Sequence, residues 1–297
     1  MRAEDGERIA TALGGRLVEA TTLAGGYSHE TTLLTLDDRQ VVARFGGGDP
    51  AIEAAVMALA PVPVPEVLLV EEAAMAIAFV EGDLLSRVLE TAPEDVRALG
   101  HEVGRVIAAI GDVSFEAPGF FTDAKLAVGA QPPWSEQLVP FAEQCMAKTP
   151  DERLDEPARA AWLTLCAEHA PALAAIDTDA RLAHGDVNPK NILVARTGAG
   201  WRVAAVLDWE FAYSSSPYGD AANMARFGAD YPPGFLDGFA EAFAAHGSRH
   251  PDWRYLGRVL DMFALTDLVT RAVGHEVADR AATIIRAWLA GGVPRTL

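Results

Sequence analysis

Two short blocks hold the densest polar chemistry in this 297-residue sequence: His184-Gly185-Asp186, with Asn191 five positions beyond the aspartate, and Asp208-Trp209-Glu210. An aspartate and an amide oxygen are hard donors that suit Mg²⁺, which takes one or two protein oxygens and completes its shell with water and substrate phosphates. A second carboxylate is then left to orient a hydroxyl and accept its proton. Phosphoryl transfer asks a protein mainly to position reactants and neutralise charge, and these groups meet that need.

The elements around the blocks should bring them together. Pro189 prevents a regular helix, so Asp186 and Asn191 belong to a loop, anchored by the apolar start of a strand at Ile192-Leu193-Val194. A second apolar run, Val203 to Leu207, should pair with Ile192 to Ala195 across Arg196 to Trp201. That hairpin places Asp208 beside Asp186 and Asn191.

Ahead of this stretch the chain changes character once. The first 80 residues read as strands with one helix: Leu17 to Leu23, Thr31 to Leu36 and Gln40 to Phe45 form an antiparallel meander, and Glu66 to Val70 and Met75 to Val80 follow the helix. Asp49 caps that helix and Pro50 occupies its first turn. After Glu81-Gly82-Asp83 helical spacing dominates. Thr91 and Glu94 read as a capping box for a helix whose apolar face is Val96, Leu99, Val103, Val106, Ile107 and Ile110. Further helices are expected at Trp134 to Ala147 and Glu156 to Ala170. Four more should follow the polar blocks, near Asp220 to Phe227, Pro233 to Ala245, Asp252 to Val273 and Glu276 to Ala290.

HGDVNPKN followed by LDWE resembles the aminoglycoside phosphotransferase and choline kinase superfamily, small-molecule kinases with a protein-kinase-like fold. The resemblance implies an α+β, two-lobed molecule: a small antiparallel β-rich N-lobe with one helix (1–80) that clamps the nucleotide, and a larger, mainly helical C-lobe (81–297) that carries catalysis and substrate binding. It implies that Asp186 receives the acceptor hydroxyl, Asn191 and Asp208 hold Mg²⁺, His184 braces the loop, and Asp220 supports it. In the N-lobe, Gly25, Gly26 and Ser28 resemble the phosphate-covering turn, whose glycines let backbone N–H groups approach phosphate oxygens. Arg44 stands where protein kinases have Lys, and Glu53 on the following helix is its candidate partner. Ala78, Phe79 and Val80 should form the hinge that receives the purine of ATP or GTP.

Acceptor recognition is expected over the C-lobe, against Glu210 and acidic positions such as Asp230, Asp237, Glu241, Asp261 and Asp267. An aminoglycoside-like antibiotic is the first expectation, with choline, homoserine or methylthioribose as alternatives. A metal-dependent hydrolase built on His184, Asp186 and Asp208, or a nucleotide-binding pseudokinase, are the readings of another class. The remaining histidines show no ligand spacing; His246 and His250 are separated by Gly247.

Bulk properties narrow the partners. With 24 basic and 42 acidic side chains the net charge is −18, a field that repels nucleic acid and anionic membranes and favours a cationic small molecule. An ordinary acidic, soluble surface explains the same charge. No apolar run approaches the roughly 18 residues of a membrane span, and the acidic N-terminus lacks the form of a signal peptide. Cys145 and Cys166 read as buried thiols of a cytoplasmic protein. Oligomeric state has no signature in the sequence.

Overall fold

The computed structural model describes residues 3–23 and 30–297. Its first part is an antiparallel sheet ordered β1-β2-β3-β5-β4, from β1 (Leu17–Thr22), β2 (Glu30–Leu36), β3 (Gln40–Phe45), β4 (Val67–Glu71) and β5 (Ala74–Ala78). Side-chain alternation puts Leu34, Leu36, Val41, Ala43 and Ala76 into one core, as the pleat requires. That core is closed by α1 (Ala3–Ala12), whose Ile9 and Ala10 are buried on it. The sheet therefore carries two helices, not the one expected from sequence.

The second helix, α2 (Pro50–Leu59), starts as the sequence predicts, with Asp49 Oδ1 accepting the Ala51 N–H at 2.8 Å. It buries Val56 and Met57 in the larger core, together with Met75 and Ile77 from β5.

Beyond the sheet come β6 (Asp83–Leu84), α3 (Leu85–Glu90), α4 (Val96–Ile110), β7 (Gly119–Phe120), α5 (Trp134–Met146) and α6 (Glu156–His169). The chain then runs through β8 (Arg181–Ala183), β9 (Ile192–Thr197), β10 (Gly200–Val206), β11 (Tyr213–Ser215), α7 (Tyr218–Ala225), α8 (Phe235–Ala245), α9 (Trp253–Leu268) and α10 (Glu276–Gly291). The expected apolar face of α4 is buried at all six positions. Its start differs from the expectation: Thr91 closes α3, with Oγ1 donating to the Val88 carbonyl, and no capping box forms. Ala92 in the left-handed region (φ 44°) and Pro93 separate the two helices, so the chain cannot run from Thr91 directly into a helical turn.

The hairpin that carries the polar blocks forms as expected, with Val194 opposite Val203 and Ile192 opposite Val206. β6 adds a third strand beside β9. The hairpin is also tied to the first sheet's side of the molecule, because the Val206 N–H donates to the Pro63 carbonyl at 2.8 Å. Among the described residues no helix is long and apolar enough to cross a membrane. Both cysteines are buried free thiols, and burial pushes Cys166 up to about 12.

Helices α4 and α8 pack backbone against backbone. A Cβ at Gly100 would strike the Phe235 carbonyl, one at Gly104 the Phe239 carbonyl, and one at Gly238 the Arg97 carbonyl. Gly104→Ala should therefore cost about 1–3 kcal/mol or more through overpacking, read as a lower urea midpoint. An unchanged midpoint would contradict so close a crossing.

Candidate active site

His184 directly follows β8 and is fully buried. Its Nε2 lies 2.8 Å from the Leu207 carbonyl oxygen, and its Nδ1 accepts the Asp186 N–H at 3.2 Å. A carbonyl only accepts and a backbone N–H only donates, so the ring is neutral with its proton on Nε2. Burial acts in the same direction and lowers the imidazole to about 4. The ring also packs on Trp209, centroids 4.6 Å apart. His184 thus fastens the Asp186 loop to the strand end that precedes Asp208.

Gly185 follows with φ +83°, and a Cβ there would meet the Phe211 carbonyl. Only glycine satisfies both conditions. Asp220, 1% exposed in the first turn of α7, accepts the His184 N–H at 2.8 Å and the Gly185 N–H at 3.0 Å. Burial raises its carboxyl to about 6 against the pull of those two donors. One buried carboxylate therefore fixes the backbone on which Asp186 stands.

Burial likewise raises Asp186 to about 6, opposed first by the positive charge of Arg226. Asn191 Nδ2 donates to Asp186 Oδ2 and to its carbonyl, both at 3.0 Å. With the amide nitrogen so engaged, Oδ1 is the Asn191 atom that can meet a cation. Asn188 orders the turn between them, accepting the Lys190 N–H at 2.9 Å and donating to the Asp186 carbonyl at 3.1 Å.

Asp208 sits at the end of β10 with φ +66°, a conformation uncommon outside glycine. Its Oδ1 accepts from Arg44 Nη2 at 2.5 Å, and Arg44 Nη1 is bonded to Glu53. The Arg44 and Glu53 side chains are 8% and 6% exposed. Burial opposes the charge on Arg44, but Glu53 and Asp208 outweigh it and leave the guanidinium raised. Glu53 Oε1 also accepts the Trp209 N–H at 3.0 Å. The nine-residue connection between Arg44 and Glu53 is thus long enough for the pair to form.

Other expected residues fall elsewhere. Glu210 does not line the cavity in front of Asp186; its Oε2 accepts the Gly48 N–H at 2.9 Å, on the sheet side. At the expected hinge, the Ala78 N–H donates to the Glu66 carbonyl and the Phe79 N–H to the Gln40 carbonyl, so both are engaged within the sheet. Gly25, Gly26 and Ser28 lie outside the described residues.

The cavity measures about 530 Å³ and is walled by the loop from Gly185 to Asn191 with α3, α7, α9 and α10. Of the late acidic positions, Asp230 and Asp267 reach it. Asp237 and Glu241 instead face Arg97 on the α8 surface. Asp261 is buried, bonded to Arg226 at 2.5 Å and to Asn223 Nδ2 at 3.0 Å. Arg226 is a site residue that sequence reasoning missed, since its partner lies 35 positions away and no local pattern marks it.

The model of the phosphotransferase enzyme family matches residues 19–256. No curated protein matches the sequence. A thermostable mutant of aminoglycoside phosphotransferase APH(4)-Ia, solved in ternary complex with ADP and hygromycin B, is similar at TM-score 0.73 and 19% identity, over 97% of this chain and 99% of that one. ADP-bound aminoglycoside phosphotransferase APH(2'')-Ib gives a TM-score of 0.66 at 12% identity, covering 99% and 100%. The apoenzyme of macrolide 2'-phosphotransferase MphH from Brachybacterium faecium gives 0.61 at 21%, covering 94% and 97%. These likenesses carry the fold: a two-lobed, kinase-like architecture with an antiparallel N-terminal sheet and a mainly helical C-terminal part.

The neutrality of His184 has a consequence for stability. The unfolded imidazole takes a proton below its ordinary 6.5, whereas the folded one resists until about 4. The unfolded state therefore binds more protons in that window, and the stability His184 contributes is lost as pH falls through it. Compared with His184→Gln in urea unfolding, the wild-type advantage should shrink by on the order of 2–3 kcal/mol between pH 6.5 and 4. A constant difference would contradict the neutral tautomer.

Proposed function

The chain belongs to the phosphotransferase enzyme family, and from that premise we propose that it moves the γ-phosphate of ATP or GTP to a hydroxyl of a small molecule with Asp186 as the base. In this reading the acceptor oxygen bonds to the γ-phosphorus as its bond to the β,γ-bridging oxygen breaks. The hydroxyl proton passes to Asp186 and the nucleoside diphosphate leaves. The observation that carries the proposal is the convergence of Asp186, Asn191 and Asp208 at the cavity, with Asp208 gripped from the sheet by Arg44.

Asp208 and the Asn191 amide oxygen form a hard-oxygen set that fits Mg²⁺, which would neutralise charge on the phosphate oxygens. Arg44 adds a fixed positive charge beside them. We assign Gly25, Gly26 and Ser28 to covering the phosphates, and Val80 to the purine. His184 and Asp220 hold the loop. The division at residues 80 and 81, between a nucleotide-clamping lobe and a catalytic lobe, belongs to the same proposal.

An aminoglycoside-like antibiotic, choline, homoserine and methylthioribose all offer the hydroxyl this chemistry requires. The hydrolase alternative is disfavoured because it needs His184 as a metal ligand, and both ring nitrogens already serve the Leu207 carbonyl and the Asp186 N–H. The pseudokinase alternative supposes an Arg44 unable to act for lysine, yet Arg44 reaches both Glu53 and Asp208.

Asp186→Asn removes the proton acceptor and keeps the shape. Transfer should fall by about 10²–10⁴-fold with nucleotide affinity retained; an unchanged kcat would refute the base. Asp208→Ala should weaken Mg-nucleotide binding by about tenfold or more, the loss that even an outer-shell metal partner can cause. Unaltered nucleotide affinity at fixed Mg²⁺ would remove Asp208 from the metal site.

A further inference from the structure

The cavity in front of Asp186 differs in charge from the molecule around it. Acidic side chains outnumber basic ones 42 to 24 over the whole chain. In the cavity wall Glu90, Asp186, Asp208, Asp230 and Asp267 face Lys190, Arg226, Arg271 and Arg280, five carboxylates against four cations. Setting aside Asp186 and Asp208, which are assigned to the reaction, three carboxylates remain against four cations, one of which, Arg226, is already neutralised by buried Asp261.

Two of those three carboxylates, Asp267 and Asp230, are already paired. Asp267 is held by Arg271 at 2.9 Å, and Asp230 is held by Arg280. The Arg280 guanidinium also lies 4.0 Å over the Phe227 ring, so it occupies the aromatic face that would otherwise attract a ligand ammonium group. Arg226 is buried with Asp261 directly behind the loop. A polyamine entering here would find no net negative charge to hold it and would have to separate existing pairs, with arginines beside each of its amines, an arrangement that disfavours a polycation.

Beside the polar Ser86, Asn188, Asn223 and His275, the wall has a broad apolar part. Leu89, Phe211, Tyr231, Leu268 and Val277 line it, and Phe211 is 49% exposed there. A volume of about 530 Å³ is that of a site for a drug-sized molecule.

We infer that the acceptor is an amphipathic alcohol of low charge: a hydroxyl-bearing molecule with a broad apolar face and at most one ammonium group, rather than a polycation. The inference rests on the phosphotransferase reading of the same site. It departs from the aminoglycoside expectation because the charge of a cavity is set by which side chains meet there and not by the chain's total.

The test compares three acceptors with Mg²⁺ and ATP or GTP: hygromycin B, which carries several amines, erythromycin, which carries one, and ouabain, which carries none. Binding is followed by thermal shift with MgADP present, and transfer by coupled assay. Erythromycin or ouabain should be bound or phosphorylated better than hygromycin B by about tenfold or more, the scale at which charge complementarity selects partners. The Arg271→Glu/Arg280→Glu double variant should move that ratio toward hygromycin B by about tenfold; both positions are partly exposed, so the fold should persist. Equal or better use of hygromycin B by the wild type, a ratio unmoved by the variant, or no binding of either low-charge alcohol would overturn the inference. Binding of a fluorescent ATP analogue and slow ATP turnover onto water need no acceptor. Their loss would count against the phosphotransferase reading instead, while the thermal shifts would still report on the charge argument.

Discussion

One guanidinium holds the two halves of the site together. Arg44, from the middle strand of the sheet, bonds Glu53 on α2 and Asp208 at the end of β10, and Glu53 in turn receives the Trp209 N–H. The Arg44 and Glu53 side chains are buried, and Asp208 is partly so. A buried ion pair adds little net stability when complete, but removing one partner leaves an uncompensated charge at a cost of about 3–5 kcal/mol. The seating of the sheet on the helical part and the position of Asp208 are consequently a single constraint. Arginine suits the role because its planar fork can bond two carboxylates at once, which a lysine point charge does with less directional control.

The other half of the site depends on backbone anchored by buried polar groups. Asp220 takes two consecutive N–H groups, His184 ties the loop to Leu207, and Gly185 turns where no side chain fits. Asp186 stands on this frame and adds to it, accepting from Asn191 through both its carbonyl and its carboxylate.

Much of this was legible in the sequence where the signal is local. The polar blocks, the glycine between His184 and Asp186, and the apolar runs of the β9–β10 hairpin are short-range patterns, and each led to the right neighbours. The Asp49–Pro50 helix start and the buried face of α4 were legible for the same reason. Helix α1 was not, because it buries little beyond Ile9 and Ala10 and its pattern is weak without the sheet beneath. Thr91 and Glu94 have capping-box spacing, yet Ala92 and Pro93 turn the chain between two helices. The late acidic residues were the least legible: Asp230 and Asp267 reach the cavity whereas Asp237, Glu241 and Asp261 do not, because their pairings with arginines are tertiary. The net charge of −18 concerns the surface, whereas the cavity is nearly balanced.

The chain's central task, on this account, is to make a phosphate ester and not to release phosphate. The most direct measurement is ³¹P NMR of the protein with Mg²⁺, ATP or GTP, and a set of hydroxylated acceptors. A phosphate monoester resonance should grow in step with nucleoside diphosphate. Nucleoside diphosphate accompanied only by inorganic phosphate, with every acceptor left unmodified, would contradict it.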